Sequence, residues 1–313
     1  TLIRTVFQLE RTAVGQLLRL MNQIAPAPKS FDWGTEFSGR QVSTTLGRLY
    51  TVDLPRTIAA PDRGVAVFIH GFGDSHFTFK RLMQYVSDLG FRVVAFNFLN
   101  RLQSDERPAG RHFDANFYVE QVNALLSSLG LGDTPVGLIG HSMGGLISCL
   151  FANKYPERVS WMSLTSPAGL FNKPLMLSIV KMLPKFMVRS AFGGIKSQRD
   201  VWRKSVTPDL HDTPYYHAFL EQQENQFKQI GRDGVPTIVS AMVSTARSFD
   251  LTKSANETVL RAVGSHPRPV LLLWGDADSI LPGGTDGSAP RYREAFPKAE
   301  HHVIEHSGHA CFN

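Results

Sequence analysis

The chain has little of what would betray its class outright. Only two of its 313 residues are cysteines, Cys149 and Cys311, which excludes a disulfide framework and paired-cysteine metal spacing and leaves the redox compartment unread. No stretch approaches the roughly 20 apolar residues that a membrane-spanning helix requires. Neither sign of charge dominates: 33 Lys and Arg stand against 27 Asp and Glu, a formal net charge of +6. The bases are dispersed and no nucleic-acid motif accompanies them, so no nucleic-acid partner is expected. There is no internal repeat and no low-complexity tract. What is present, 42% hydrophobic and 19% charged residues, is ordinary globular composition. The length suits one large domain, or a core with an inserted subdomain.

From Thr1 to Ile24 apolar residues recur at helical spacing (Leu2, Val6, Leu9, Ala13, Leu17, Leu20, Ile24) with Arg4, Arg11 and Arg19 between them. This segment, residues 1–30, reads as a packed helix or as an amphipathic one that seeks a lipid surface, the packed form being preferred. Because the chain begins with Thr1, a removed targeting segment stays open; a cytoplasmic location is favoured. Ala25-Pro26-Ala27-Pro28 is a short stiff linker. Alternating Val42, Leu46, Leu49 and Val52 predict an antiparallel hairpin or meander over 37–54. Then the rhythm changes to unbroken apolar runs at 65–69, 93–98, 136–139, 159–164 and 270–273. Such runs are parallel strands covered on both faces. Helical stretches at 79–89 and 117–129 separate some of them, so the expected fold class is α/β with a central, mostly parallel sheet flanked by helices. The core then spans 31–170 and 267–313. Residues 171–266 break the rhythm, hold no comparable strand and are rich in Met and aromatics, which predicts a helical cap or lid over the C-terminal strand ends.

One motif concentrates the chemistry. Leu138-Ile139-Gly140-His141-Ser142-Met143-Gly144-Gly145 sets a serine between glycines, with a strand before it and a helical stretch, 146–154, after it. That context makes G-x-S-x-G a nucleophile elbow: a sharp turn lifts the hydroxyl clear of the sheet, and Gly140 and Gly144 stand where side chains would collide. The helix behind it points free N–H groups at the place where negative charge develops. A serine needs a base, itself oriented by a carboxylate. Downstream, Trp274-Gly275-Asp276-Ala277-Asp278 ends a buried strand and is followed by Pro282; then His301 to Ile304 forms a strand, and Ser307-Gly308-His309 follows.

In these motifs the chain resembles the α/β-hydrolase-fold serine hydrolases, of esterase and lipase type, over about residues 60–310. Their G-x-S-x-G, G-x-x-D-x-x-x-P and C-terminal G-H match Gly140 to Gly144, Gly275 to Pro282 and Gly308-His309. The resemblance implies a triad of Ser142, Asp278 and His309, with Asp278 preferred to Asp276 as the acid. It makes Phe68-Ile69-His70-Gly71-Phe72-Gly73 the oxyanion loop, the backbone N–H groups of Phe72 and Met143 being the donors. His70, Gly71, Gly73 and His141 are then supporting residues. The sequence departs from the family in two places. Asn97-Phe98-Leu99-Asn100-Arg101-Leu102 stands where many members carry D-x-x-G-x-G, and the chain ends at Asn313, just past His309. His302-Val-Ile-Glu305-His306 spells H-x-x-E-H, a zinc-protease pattern, but its β-branched centre and following Ser-Gly break read as strand and loop, so no metal is expected. No cofactor is expected either.

Serine at the elbow implies acyl transfer to water. The expected activity is hydrolysis of apolar esters, lipid esters among the candidates. A receptor or scaffold on the same fold and a C–C hydrolase of diketones are the alternatives. Lys173 to Lys204 interleaves eight Lys and Arg with Leu, Met and Phe. This is either a core-packed face with solvated bases or a lid that meets lipid.

Overall fold

The unbroken apolar runs become the inner strands of an eight-stranded sheet in a computed structural model, which describes residues 37–58, 60–172, 184, 187, 190, 192, 195–206, 210–281 and 284–311. The N-terminal segment, residues 173–183 of the basic stretch, and Pro282 lie outside the described residues. The strands are β1 (Gly39–Thr44), β2 (Gly47–Leu54), β3 (Val65–Ile69), β4 (Arg92–Phe96), β5 (Val136–His141), β6 (Val159–Thr165), β7 (Val270–Gly275) and β8 (Glu300–Ile304). Their order across the sheet is β1-β2-β4-β3-β5-β6-β7-β8. The predicted hairpin is present: β1 pairs antiparallel with β2, and β2 antiparallel with β4; every other pairing is parallel. Strand order reverses at β3, with β4 on one side and β5 on the other. In open α/β sheets a crevice opens beyond the C-terminal strand ends at such a reversal.

Side chains alternate between the two faces of the sheet. From β3, Val65, Val67 and Ile69 enter one core, while Ala66 and Phe68 enter the other. The first core is closed by α2 (Ala115–Ser128), α3 (Met143–Lys154), α7 (Lys253–Ser265) and α8 (Gly284–Ala295), which contribute Phe117, Leu146, Leu260 and Tyr292 among others. The second is closed by α1 (Lys80–Asp88) through Leu82, Met83 and Val86. Asp114 caps α2 by accepting the Phe117 N–H at 2.8 Å, which satisfies one of the orphan donors of the first turn.

Between β6 and β7 lie α4 (Ile195–Ser205), α5 (Pro214–Lys228) and α6 (Thr237–Ser248). They build a third core around Trp202, Tyr215, Phe219, Phe227, Ile238 and Met242. The helix that follows, α7, instead buries Leu260 and Val263 in the main core. Among the described residues, no helix is long and apolar enough to cross a membrane.

Candidate active site

β5 runs straight into the elbow. Ser142 takes φ 54° and ψ −119°, left-handed backbone that a non-glycine residue adopts only under external constraint. The constraint is visible. The Ser142 N–H donates to the Thr165 carbonyl at 3.0 Å, and the Ser142 carbonyl accepts from Ala168 N–H at 2.9 Å. Gly144 is unavoidable here, since a Cβ on it would lie 1.9 Å from the Ile69 carbonyl oxygen. α3 starts at the next residue, Met143, which is buried.

The loop after β3 lies against this turn: a Cβ on Gly71 would sit 3.3 Å from the Ser142 Cβ. His70 is fully buried beneath the loop. Its Nε2 accepts the Phe98 N–H at 3.3 Å, so its Nδ1 carries the proton and donates to the Gly71 carbonyl at 2.9 Å. Burial, then the charge of Arg101, drives the His70 pKa down to about 3. Neutral and bonded at both nitrogens, His70 ties the loop to the segment after β4. That segment carries Asn97 and Asn100, the first and fourth residues of the run 97–102. The Asn97 amide oxygen accepts from His76 N at 2.9 Å. Asn100 has φ 61°, a left-handed conformation that Asn tolerates better than most side chains.

β7 and β8 deliver the acid and the histidine. Asp278 Oδ2 accepts from His309 Nδ1 at 2.9 Å, and Asp278 Oδ1 accepts from the backbone N–H groups of Ile280 at 2.9 Å and Leu281 at 3.3 Å. Burial pushes the Asp278 pKa up, but the His309 hydrogen bond and charge, with those two N–H groups, outweigh it and hold the carboxyl below its usual range. Asp276 is exposed and turns elsewhere, its Oδ1 accepting the Ser307 N–H at 3.1 Å. Ala277 N–H donates to the Ser307 carbonyl at 2.9 Å. Asp276 thus splices the acid loop to the histidine loop. Gly275 allows the approach: a Cβ there would be 2.2 Å from the Gly308 carbonyl oxygen.

Ser142, His309, His141, Gly71, Phe72 and Gly73 line one cavity of about 430 Å³. Between β6 and β7 the chain contributes a largely apolar lining, Met187, Phe192, Trp202, Phe219 and Met242, with Gln198, Ser205 and Gln223 among them. The His141 ring packs 4.7 Å from that of His309, centroid to centroid, and its Nε2 meets the His309 carbonyl at 3.2 Å. Burial, reinforced by His309, keeps His141 far below the usual histidine range, hence neutral. Of the remaining expected site residues, Gly140 closes β5 beneath the turn, where a Cβ would press within 2.5 Å of Ser148 Oγ. The H-x-x-E-H histidine His302 lies in strand β8, beside Glu300 at 3.0 Å. Among the described residues, no group of three His, Cys, Asp or Glu is placed to hold a metal. Cys149 and Cys311 are free and buried.

Among the lining residues that sequence reasoning overlooks are Asp74 and Gln223, with Gln226 behind them. Asp74 lies four residues beyond His70, one past the run 68–73 already singled out; Gln223 and Gln226 carry no local signal.

The model of the alpha/beta hydrolase fold family matches residues 65–312. Lipase 1 of Psychrobacter immobilis is 24% identical over 247 residues, 78% of this chain and 70% of that protein. A mesoderm-specific transcript homolog protein of Homo sapiens is 26% identical over 291 residues, 90% and 82% of the two chains. Among solved structures, the carboxylesterase CesB (YbfK) of Bacillus subtilis superposes with a TM-score of 0.62 at 19% identity, over 94% of this chain and 91% of that one.

Proposed function

The chain belongs to the α/β-hydrolase fold family, and on that premise we propose that it is a serine hydrolase of carboxylic esters with an apolar group, working through Ser142, His309 and Asp278. The observation that carries this is the 2.9 Å contact between Asp278 Oδ2 and His309 Nδ1, with His309 and the elbow serine on one cavity wall. An ionised carboxylate only accepts, so Nδ1 holds the proton and Nε2 is left as the base.

Substrate enters with its carbonyl over Ser142. His309 Nε2 takes the hydroxyl proton as Oγ attacks, and Asp278 steadies the imidazolium that forms. The oxyanion falls between the N–H groups of Phe72 and Met143, a pair of donors that reorganises little during the reaction. His309 then protonates the departing alcohol. Water, activated by the same Nε2, releases the acid from the acyl-enzyme. The apolar wall from the insert suits a hydrocarbon acyl or alkyl group, and the relatives named as lipases support ester chemistry.

The test is steady-state hydrolysis of p-nitrophenyl esters of rising acyl length by the parent chain and by Ser142→Ala. Sustained turnover that drops by about 10⁴-fold or more in the variant is expected. A single stoichiometric burst from the parent would instead favour a receptor on this fold, and no Ser142-dependent release from any ester would end the proposal.

A further inference from the structure

The cavity wall holds a carboxyl for which the proposed chemistry has no use. Asp74 lines the same space as Ser142 and His309. Its Oδ1 accepts from its neighbour Ser75 N–H at 2.8 Å and from Gln223 Nε2 at 2.9 Å, and the Thr78 hydroxyl donates to the same carboxyl. Gln223 is not free to turn: Gln226 Nε2 donates to its Oε1 at 2.8 Å and also reaches the Gly73 carbonyl at 3.4 Å. With Oε1 so engaged, Gln223 can present only its amide nitrogen to Asp74. The pair joins residues 149 apart in sequence, fastening helix α5 to the oxyanion loop.

A carboxylate offers about four lone-pair positions, and three protein donors leave one. Oδ2 lies 4.0 Å from His141 Nδ1, beyond hydrogen-bond range. The cavity Asp74 shares with Ser142 and His309 is lined largely by apolar side chains, Phe72, Met187, Phe192, Trp202, Phe219 and Met242, with Thr78, Gln198 and Ser205 adding polar groups. Setting an ionisable group in such a wall costs free energy unless something compensates. In mostly apolar pockets, a few placed polar groups commonly supply orientation and specificity. An acceptor calls for a donor on the ligand. An ammonium ion fits poorly, because it would have to shed water in an apolar cavity and would sit near His309 as that ring becomes a cation. A hydroxyl carries neither burden.

We propose that Asp74, held by Gln223, forms a polar subsite that accepts a hydrogen bond from a hydroxyl on the substrate, so that the enzyme selects hydroxylated esters over their plain isosteres. This rests on the ester-hydrolase reading above. A ligand of that class satisfies the fourth position of the carboxylate, whereas an isostere with methyl in place of hydroxyl leaves it desolvated and unpaired, the arrangement by which polar sites reject the wrong substrate.

Two matched pairs test it: 2-hydroxyethyl butyrate against propyl butyrate for the alcohol side, and ethyl 3-hydroxybutyrate against ethyl 3-methylbutyrate for the acyl side. The parent should favour the hydroxylated member of at least one pair by about tenfold or more in kcat/KM. That ratio should fall toward one in Asp74→Ala, and in Gln223→Leu, which leaves the carboxyl in place but loosens it. Damage to the loop alone would lower both members together and leave the ratio standing. Thermal melts identify any variant that does not fold, and the other then carries the test. A parent ratio near one in both pairs, or a ratio that survives both substitutions, overturns the proposal. Failure of all four esters to turn over in a Ser142-dependent way removes the ester reading itself, and the subsite with it.

Discussion

Asp74 and His70, four residues apart on one loop, respond to pH with opposite sign. Burial raises the Asp74 carboxyl to about 6, against the pull of Ser75, Gln223, Thr78 and the charge of His309. From the unfolded value near 4 up to that point, the folded chain keeps a proton the unfolded chain has lost, so stability falls as pH rises through the window. His70 is held down at about 3. From 6.5 down to that value the unfolded chain takes up a proton that the folded chain refuses, so stability falls as pH drops. Between pH 4 and 6 the two slopes oppose each other. The other groups around Asp74 leave this contrast intact: His141 is neutral, Tyr215 is pushed up by burial, and Arg101 stays a buried cation. Asp74→Asn removes one slope and keeps the shape. Urea unfolding from pH 4.5 to 7.5 should show the variant more stable than the parent at the upper end, by on the order of 3 kcal/mol, with a steeper loss toward acid. Parallel curves for the two proteins would mean that Asp74 does not carry its proton into that range.

At the scale of elements, the site depends on two loops meeting beyond β7 and β8. Gly275 sits where any Cβ would strike the Gly308 and Ser307 carbonyl oxygens, at 2.2 and 2.3 Å. Gly275→Ala must part those loops and move His309 relative to Asp278. A displacement near 1 Å is enough to cost about 100-fold in rate, so the expected outcome is a loss of that order in kcat, with a far-ultraviolet circular dichroism spectrum like the parent's. A spectrum that collapses would place the main effect on folding instead. These elements are also where the sequence is most legible. Strands β3, β5 and β7 have both faces buried, so they appear as largely apolar runs, and the glycines at 140, 144 and 275 mark points of close approach. The preference for Asp278 over Asp276 comes from the resemblance to the family's G-x-x-D-x-x-x-P pattern, not from the residues alone. The docking of helix α7 is not legible, because an amphipathic pattern shows that one face is buried but not against which core, and Leu260 and Val263 go to the sheet rather than to the insert. Gln223 escapes for a related reason: a glutamine on a helix reads as solvated, and only the docking of α5 on the loop makes it a partner of Asp74.

For the whole molecule, the question is how firmly the insert is bound to the sheet. Its core around Trp202, Phe219, Phe227 and Met242 forms a cluster of its own, reached from the sheet side by Phe77 and Phe72, while Ala241 of α6 enters the main core. Much of the join is polar: Tyr118 OH to Thr245 Oγ1 at 2.6 Å, Phe113 N–H to Ser244 Oγ at 3.0 Å, Gln223 to Asp74, and Ala310 N–H to the Ser205 carbonyl at 3.1 Å. Hydrogen bonds of this kind contribute about 1 kcal/mol each, whereas a region with its own apolar core can open as its own cooperative unit. Phe227 packs on Trp202 with ring centroids 5.9 Å apart, within the insert's own core. Phe227→Ala should therefore destabilise the insert by about 3–5 kcal/mol. In hydrogen exchange, amides of α5 and α6 are expected to lose protection while those of β3 and β5 keep theirs. Activity should fall with it, because the same opening withdraws Phe219 and Gln223 from the cavity wall. If strand and insert amides lose protection equally, the sheet and insert unfold as one unit, and the wall over Ser142 is as rigid as the strands that carry it.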